Sequence, residues 1–271
     1  MSYRFLARLA RGAHVAFGLF MVFALIAPLI TAVPISFSAG SFLSYPLPGF
    51  SLQWYEKVFL AGPWLDALWN SLIVGVLSTL IATPLGTLAA FAFARGGLPM
   101  PTTLLGILIA PMIVPPVITG LGLYFALAEI GLTSTLAGVV IAHAVLAAPF
   151  VLITVSATLQ GFDFRLLRAA ASLGASPVRA FFNVLVPLMA PGIISGALFA
   201  FATSFDEVVV TLFIAGPAQR TMPLKMFEGI RDNIDPSILA MASFLMCVAI
   251  VTLASASLLM KNRSKRMNSD E

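Results

Sequence analysis

The chain has 271 residues, of which 60% are hydrophobic and only 10% charged, and its formal net charge at pH 7 is +4. A soluble domain carries about 25% charged residues and could not cover this much apolar surface with polar groups. The composition therefore excludes a soluble fold. The basic residues lie at the ends of apolar runs, which excludes a nucleic-acid-binding face, and the single Cys247 excludes an internal disulfide.

Several apolar stretches are long enough to cross a bilayer, which takes about 20 helical residues. We predict an all-α membrane protein with about six transmembrane helices, near residues 13–35, 67–94, 103–128, 136–159, 189–215 and 237–260. The arginines before the first stretch are also typical of a signal peptide, but the apolar run is longer than such a peptide needs, so we predict a retained helix. The domain organisation is then a first helix with an extracytoplasmic segment over 1–66, a transmembrane domain over 67–260 and a basic cytoplasmic tail over 261–271.

The basic residues predict the orientation, because cytoplasmic loops of membrane proteins are enriched in lysine and arginine. With both termini in the cytoplasm, most of the lysines and arginines face inside, among them Arg95 and Arg179. Lys57, Arg220, Lys225 and Arg231 face outside. The reverse orientation inverts this ratio, so we predict an N-in, C-in topology.

The segment 165–187 reads as helix, sharp turn, helix between the fourth and fifth spans. Three alanines favour the first helix, and Gly174 suits the left-handed position that ends it. Ser176 is a good N-cap and Pro177 a good first residue for the second helix, which carries a mostly apolar face. The segment therefore predicts a helical hairpin with exposed apolar residues, or alternatively an amphipathic connector lying on the membrane.

The predicted fifth span carries small residues at every fourth position, Gly192, Gly196, Ala200 and Ser204, a spacing typical of close helix packing. On a continuous helix Glu207 continues this face, whereas Asp206 points about 100° away. Carboxylates at membrane depth usually face a cavity or a partner. The pair therefore either lines a polar path or pairs with a polar neighbour such as His143 or Asn70.

Prolines interrupt the apolar helices, with Pro115 and Pro116 adjacent in the third span. Each proline removes a backbone donor and kinks or breaks its helix. Irregular backbone at membrane depth is tolerated where it is buried or lines water, which predicts a cavity framed by spans two to five, or else packing kinks without a path. His143, alone in the fourth span, belongs either to a polar pathway or to a packed, hydrogen-bonded helix.

No motif for covalent chemistry occurs in the sequence. It has no phosphate-binding loop, no His-Glu-x-x-His zinc motif and no nucleophile elbow, and no cysteine–histidine cluster for a metal. We therefore expect no catalytic and no metal-binding residue. A carrier or channel driven by an ion gradient, with Asp206, Glu207 and His143 as a relay, remains an alternative to a subunit driven by a separate ATPase.

The 165–187 segment resembles the EAA loop of bacterial ABC-importer permeases, in which two alanines precede a glycine and a distal Leu-Pro. Ala169, Ala170, Gly174 and Pro187 match this pattern, whereas Arg168 stands near the position of the family's acid. The resemblance implies a type I ABC importer permease fold and a coupling hairpin over 163–187 that docks on an ATPase subunit. The residues it assigns to coupling are Leu167, Arg168, Ala169, Ala170, Gly174, Ala175, Ser176 and Pro187.

The stretches 204–217 and 222–236 are similar to those of permeases of the polyamine type, closest to the second permease subunit of spermidine/putrescine importers and related opine or amine systems. The resemblance implies a multi-pass protein of the bacterial inner membrane that works with two ATPase subunits, a second permease and an external binding protein. ATP and Mg²⁺ would bind the ATPase subunits, and this chain would hold no cofactor. The candidate residues for a cation path are Asp206, Glu207, His143, Asn70, Pro115 and Pro116.

Overall fold

The computed structural model describes residues 3–60, 62–232 and 234–251, with the backbone alone over 3–10. Regular structure in these ranges is helical, apart from one isolated antiparallel bridge between Ser38 and Phe50. The helices are α1 (Tyr3–Ser36), α2 (Gln53–Leu60), α3 (Gly62–Arg95), α4 (Pro101–Ile113), α5 (Pro116–Glu129), α6 (Leu136–Leu159), α7 (Arg165–Ser172), α8 (Pro177–Ala180), α9 (Val186–Phe205), α10 (Val209–Ile214), α11 (Met222–Asp232) and α12 (Ser237–Val251). A π-helical turn, Phe181–Leu185, joins α8 to α9, and a short 3₁₀ turn, Pro217–Gln219, precedes α11.

The prediction of an all-helical membrane protein is confirmed. Four segments of the described chain are long and apolar enough to cross a membrane, namely Arg11–Ser36, Gly62–Arg95, Leu136–Leu159 and Pro177–Phe205. A fifth arises if α4 and α5 together form one bent span. The predicted sixth helix, 237–260, is described as far as Val251, and the basic tail lies outside the described residues. The count of six and the orientation stay predictions.

The predicted third span, 103–128, is broken at Pro115 and Pro116, where the sequence predicts a kink or break. Here α4 ends at Ile113, α5 begins at Pro116, and the two helices are bent by 106°. A residue that precedes a proline is pushed towards extended backbone, and this applies twice in succession. Val114 has ψ 137° and Pro115 has ψ 134°. The other prolines of the predicted second, third and fourth spans, Pro84, Pro111 and Pro149, lie inside uninterrupted helices.

Residues Pro63–Phe227 form one compact unit with an apolar core around α6. One buried cluster joins α3, α6 and α9 through Ala82, Ala90, Ala147, Val151, Leu152, Val155, Leu159, Leu185, Met189 and Ala200. A second cluster joins α3, α5, α6 and α10 through Val74, Leu127, Val139, Val140, Ala142, Leu146, Val210 and Ile214. Because α6 contributes to both clusters, it is the central element against which the other spans are placed.

The small-residue face predicted on α9 is confirmed, since all four of its residues are buried. A Cβ atom at Gly192 would lie 2.2 Å from Thr158 Oγ1, and one at Gly196 would lie 3.1 Å from the backbone Cα of Val151. Both neighbours belong to α6. Side chains larger than hydrogen would force the two helices apart, so these glycines set the separation of α6 and α9.

A second unit contains residues Met1–Gly62 and Glu228–Glu271. In it, the loop after α1 is fastened to α2 by hydrogen bonds from Trp54 Nε1 to Ser38 O at 2.8 Å and between Ser36 Oγ and Tyr55 Oη at 2.7 Å. Lys57 Nζ on α2 donates to Asp235 Oδ2 at 2.6 Å, just before α12. The apolar side chains of α1 are largely exposed within this chain.

Candidate functional site

The hairpin between α6 and α9 has the local geometry that the sequence predicts. After α7, Gly174 adopts the left-handed conformation with φ 86°. The N–H of Ala175 bonds to Ala170 O at 3.0 Å, and the N–H of Gly174 bonds to Ala171 O at 2.9 Å. These two bonds form a Schellman motif, which satisfies the last carbonyl groups of the helix. The turn at 173–176 is therefore stabilised by backbone hydrogen bonds within the hairpin itself.

The start of the second helix is also confirmed. The Ser176 hydroxyl accepts a hydrogen bond from the N–H of Arg179, and Pro177 is the first helical residue. The helix does not stop at Pro187, however, because α8, the π-helical turn and α9 are continuous. Pro187 has no N–H to donate to Asn183 O, and the wider π-helical turn immediately precedes it. The second helix of the hairpin therefore continues into the fifth span without a loop between them.

The surface of the hairpin divides into an anchoring side and an exposed side. Leu167 and Phe181 pack against the core cluster of α3, α6 and α9. Leu173, at the turn, is 89% exposed, and Val178 and Phe182 are also exposed. Exposed leucine, valine and phenylalanine side chains along one hairpin are typical of a surface that another protein or the membrane covers.

The remaining predicted coupling residues lie on the same hairpin. Arg168 and Ala169 are exposed and Ala170 is half-buried. A groove of about 820 Å³ runs between the hairpin and the end of α3, and its lining includes Arg95, Arg168 and a group of aromatic side chains. The structure therefore brings the predicted coupling residues together on one element, with Pro187 at the base of that element rather than at its tip.

The prediction of a continuous fifth helix over 189–215 is wrong at the two acidic residues. α9 ends at Phe205, residues 206–208 are irregular, and α10 begins at Val209. The interpretation that Glu207 continues the small-residue face of a helix fails for this reason. Instead, Glu207 is half-buried and its Oε1 accepts a hydrogen bond from Val210 N–H at 2.8 Å, which caps α10. Asp206 is exposed.

His143 is fully buried in α6, with 0% of its surface exposed. Its Nδ1 lies 2.8 Å from Ser204 Oγ, and its Nε2 lies 2.8 Å from Thr211 Oγ1. Neither ring nitrogen bonds to a carboxylate, so the suggested pairing of His143 with the acidic pair is not present. Its partners instead flank the helix break, one at the end of α9 and one in α10.

Asn70, in α3, does not bond to the acidic pair either. Its Nδ2 donates to Ala218 O at 2.9 Å and to Arg220 O at 3.0 Å. The neighbouring Ser71 Oγ accepts from Met222 N–H at 2.7 Å. These bonds fasten the loop after α10 to the N-terminal part of α3, which gives Asn70 a structural role in that loop.

The corner at Pro115 and Pro116 lies next to the break through the packing of α5 on α10. A Cβ atom at Gly120 would meet the Phe213 ring at 2.7 Å, so the two helices touch closely there. A cavity of about 580 Å³ lies among α3, α4 and α6, but neither acidic residue lines it. Within the described ranges there is no group of three or more potential metal ligands.

Two contributors to this region carry no pattern that sequence reasoning could use. Ser78 donates to Ser204 Oγ at 2.9 Å, and Thr211 donates to the carbonyl of Glu207 at 3.0 Å. A single hydroxyl in an apolar helix usually bonds to its own backbone, so neither residue stands out.

Comparison with known proteins gives a consistent result over most of the chain. The family described as "Binding-protein-dependent transport system inner membrane component" matches residues 82–268. The chain is 29% identical over 243 residues to the spermidine/putrescine transport system permease protein PotC of Escherichia coli (strain K12), covering 90% of this chain and 92% of that protein. It is 31% identical over 251 residues to the putrescine transport system permease protein PotI of the same strain, covering 90% of this chain and 89% of that protein.

Two solved structures share the fold. A chain of a bacterial ABC transporter involved in the import of the acidic polysaccharide alginate superimposes with a TM-score of 0.76 at 14% identity, covering 95% of this chain and 98% of that chain. A chain of an amino acid ABC transporter, solved with histidines, superimposes with a TM-score of 0.54 at 18% identity, covering 75% and 96%. At these identities the likeness concerns the arrangement of helices alone.

Proposed function

Because this chain belongs to the family of binding-protein-dependent transport system inner membrane components, we propose that it carries a small cationic solute, a polyamine or a related amine, across the inner membrane. As a member of that family it is an ABC importer permease, a transport subunit rather than an enzyme. The names of its relatives PotC and PotI support an amine as the substrate. The acidic pair at the helix break supports a cation.

The observation that carries the proposal is the break at 206–208, which places two carboxylates between α9 and α10, at the end of the candidate span Pro177–Phe205. A charge at membrane depth is costly unless it has a partner or contacts water. Asp206 is exposed on this chain, and Glu207 is held by its bond to Val210 N–H. An ammonium group that loses its water on entering the membrane would regain favourable electrostatic energy beside these carboxylates.

Permeases of this family work in general with an ATPase, a second permease and a binding protein. For this chain we propose two ATPase subunits, each binding ATP and Mg²⁺, with the 163–187 hairpin as the docking element. Its exposed apolar tip and its self-closed turn support this role. Since the hairpin is continuous with α9, a displacement of the ATPase subunits would be transmitted directly to the span that carries the acidic pair.

The test is uptake of a di- or triamine by the complete transporter in proteoliposomes. Glu207→Gln keeps an acceptor for Val210 N–H and removes the charge. Asp206→Asn removes the charge at the exposed position. We expect each change to lower the uptake rate at least about tenfold, with assembly and basal ATP hydrolysis retained, since one lost charge interaction at a desolvated site is worth about 1.4 kcal/mol or more. Glu129→Gln, at the exposed end of α5, is the matched control and should transport normally.

Wild-type uptake by an assembled Asp206→Asn, Glu207→Gln double variant would refute the cation path. A purely structural role gives the opposite pattern, with poor assembly but normal uptake by each complex that survives. Uptake that persists without ATP and follows an ion gradient would favour the carrier alternative.

A further inference from the structure

Four buried polar side chains form one connected line through the unit Pro63–Phe227. Ser78 in α3 lies 2.9 Å from Ser204 in α9, Ser204 lies 2.8 Å from Nδ1 of His143 in α6, and Nε2 of His143 lies 2.8 Å from Thr211 in α10. Thr211 then reaches the carbonyl oxygen of Glu207 at 3.0 Å. All four side chains have less than 5% of their surface exposed.

The direction of each hydrogen bond follows from counting donors. A backbone carbonyl can only accept, so the single hydroxyl proton of Thr211 is donated to Glu207 O. Thr211 must therefore accept from His143 Nε2–H, which leaves Nδ1 as an acceptor for Ser204 O–H. Ser204 in turn accepts from Ser78 O–H, at 2.9 Å, and the same hydroxyl lies 3.2 Å from Gly75 O. The imidazole is neutral in this arrangement, and every polar hydrogen in the line has an acceptor.

The line ends on both sides of the helix break. Ser204 is in the last turn of α9, whereas Thr211 and the carbonyl of Glu207 belong to α10 and its cap. One imidazole thus joins the two flanks of residues 206–208 and ties them to α6. The break contains neither proline nor glycine, so this connection replaces the local constraints that normally end a helix.

We propose that His143 is a positioning residue for the acidic pair: the line Ser78–Ser204–His143–Thr211 fixes the backbone of 206–208 and so fixes where the two carboxylates stand. The proposal rests on the proposed function, because it concerns the same carboxylates. His143 itself is buried and does not touch the solute. Removing the Thr211 hydroxyl leaves the buried Nε2–H of His143 without an acceptor, which in a water-poor interior is costly and favours rearrangement of the break.

The experiment measures the geometry of the break directly in the complete transporter. Cys247 is replaced by serine and Asp206 by cysteine, and the rate of modification of position 206 is measured with neutral, cationic and anionic thiosulfonates of similar size. Thr211→Val keeps the shape of the side chain and removes its hydroxyl. Thr87→Val is the matched control, because Thr87 is also buried and its hydroxyl has no hydrogen-bond partner in the described structure. Thr211→Ser restores the hydroxyl.

We expect Thr211→Val to change the rate with the neutral reagent at least about threefold, and Thr87→Val and Thr211→Ser to leave it within about 1.5-fold, since the hydroxyl alone distinguishes them. An unchanged rate in assembled Thr211→Val would overturn the positioning role, even if the variant assembles poorly. Should Thr211→Val fail to assemble, Ser204→Ala takes its place with the same expectation and the same refuting result, because it leaves Nδ1 of the buried His143 without its donor.

The charged reagents test the proposed function separately. If Glu207 presents its carboxylate at the break, the cationic reagent is favoured over the anionic one, and Glu207→Gln abolishes this preference. A preference that survives Glu207→Gln refutes the cation path at that residue. The positioning role is not affected by this outcome, because it is decided by the neutral reagent alone.

Discussion

The turn of the hairpin is made by residues within ten positions of one another, whereas the break between α9 and α10 is held by side chains from α3, α6, α9 and α10. The hairpin turn is exposed and its hydrogen bonds are backbone bonds. The break lies beside buried hydroxyls and an imidazole, and side chains take part in the hydrogen bonds that hold it. The local bonds of the hairpin turn leave its apolar surface exposed, whereas the tertiary bonds at the break hold two charged groups at the end of the candidate span Pro177–Phe205.

The largest expected effect concerns the side of the membrane that each region faces. The basic residues predict that the hairpin faces the cytoplasm and that the loop after α10 faces outside. In a Cys247→Ser background, an impermeant maleimide applied to intact cells should label Ala218→Cys fully and Arg179→Cys only after permeabilisation. Labelling of position 179 in intact cells would reverse the orientation and remove the docking role of the hairpin.

The next largest effect concerns the self-closed turn. Gly174→Val places a branched side chain at φ 86°, where left-handed backbone costs about 1–2 kcal/mol for a residue with a Cβ. A Cβ at Gly174 would meet no other atom within 4 Å, so the expected defect is conformational rather than steric. We expect amine uptake per ATP hydrolysed to fall at least about tenfold, since a misplaced hairpin no longer docks correctly, while the permease still inserts.

Gly161→Val, in the turn just before the hairpin, is the control for this change. Its backbone is not left-handed, and a Cβ there meets only Thr158 O at 3.9 Å. Coupling in this variant should match the wild type. Full coupling in Gly174→Val, with the ATPase subunits bound, would show that the closed turn is not needed for docking.

The smallest effect concerns the ion pair between Lys57 and Asp235, which joins two segments on the side of the membrane that is predicted to be outside. Burial raises the pKa of Asp235, but hydrogen bonds from Lys57 and Ser237 and the charge of Lys57 outweigh it, so the pKa lies below the ordinary value of 3.8. A carboxyl with a depressed pKa stabilises the fold above about pH 4 and loses this contribution as the pH falls through its folded pKa. Lys57 is partly exposed, so we expect less than ~1 kcal/mol.

Thermal unfolding of the purified permease between pH 6 and pH 3 checks this expectation. The difference in stability between the wild type and Asp235→Asn should shrink as the pH falls. A difference that is constant over this range would mean that the ion pair contributes nothing to stability.

Sequence reasoning succeeded where the structure is determined locally. Gly174, Ser176 and Pro177 act through their own backbone preferences, and the small residues of α9 act through size and spacing. Sequence reasoning failed at 206–208 because residues 197–215 contain neither glycine nor proline, so no residue in the stretch indicates the end of a helix. The interruption depends on hydroxyls and an imidazole that meet only in the folded protein. The positions of the carboxylates could therefore not be predicted from the sequence.

The corner between α4 and α5 has a mechanical consequence. Its angle is imposed by the rings of Pro115 and Pro116 on the residues before them, and not by a side-chain partner that a conformational change could release. The backbone of Val114 and Pro115 is confined to extended conformations, so the angle between α4 and α5 has less freedom to change than at a joint without prolines. Because α5 packs on α10, this corner connects the short helix after the break to α4.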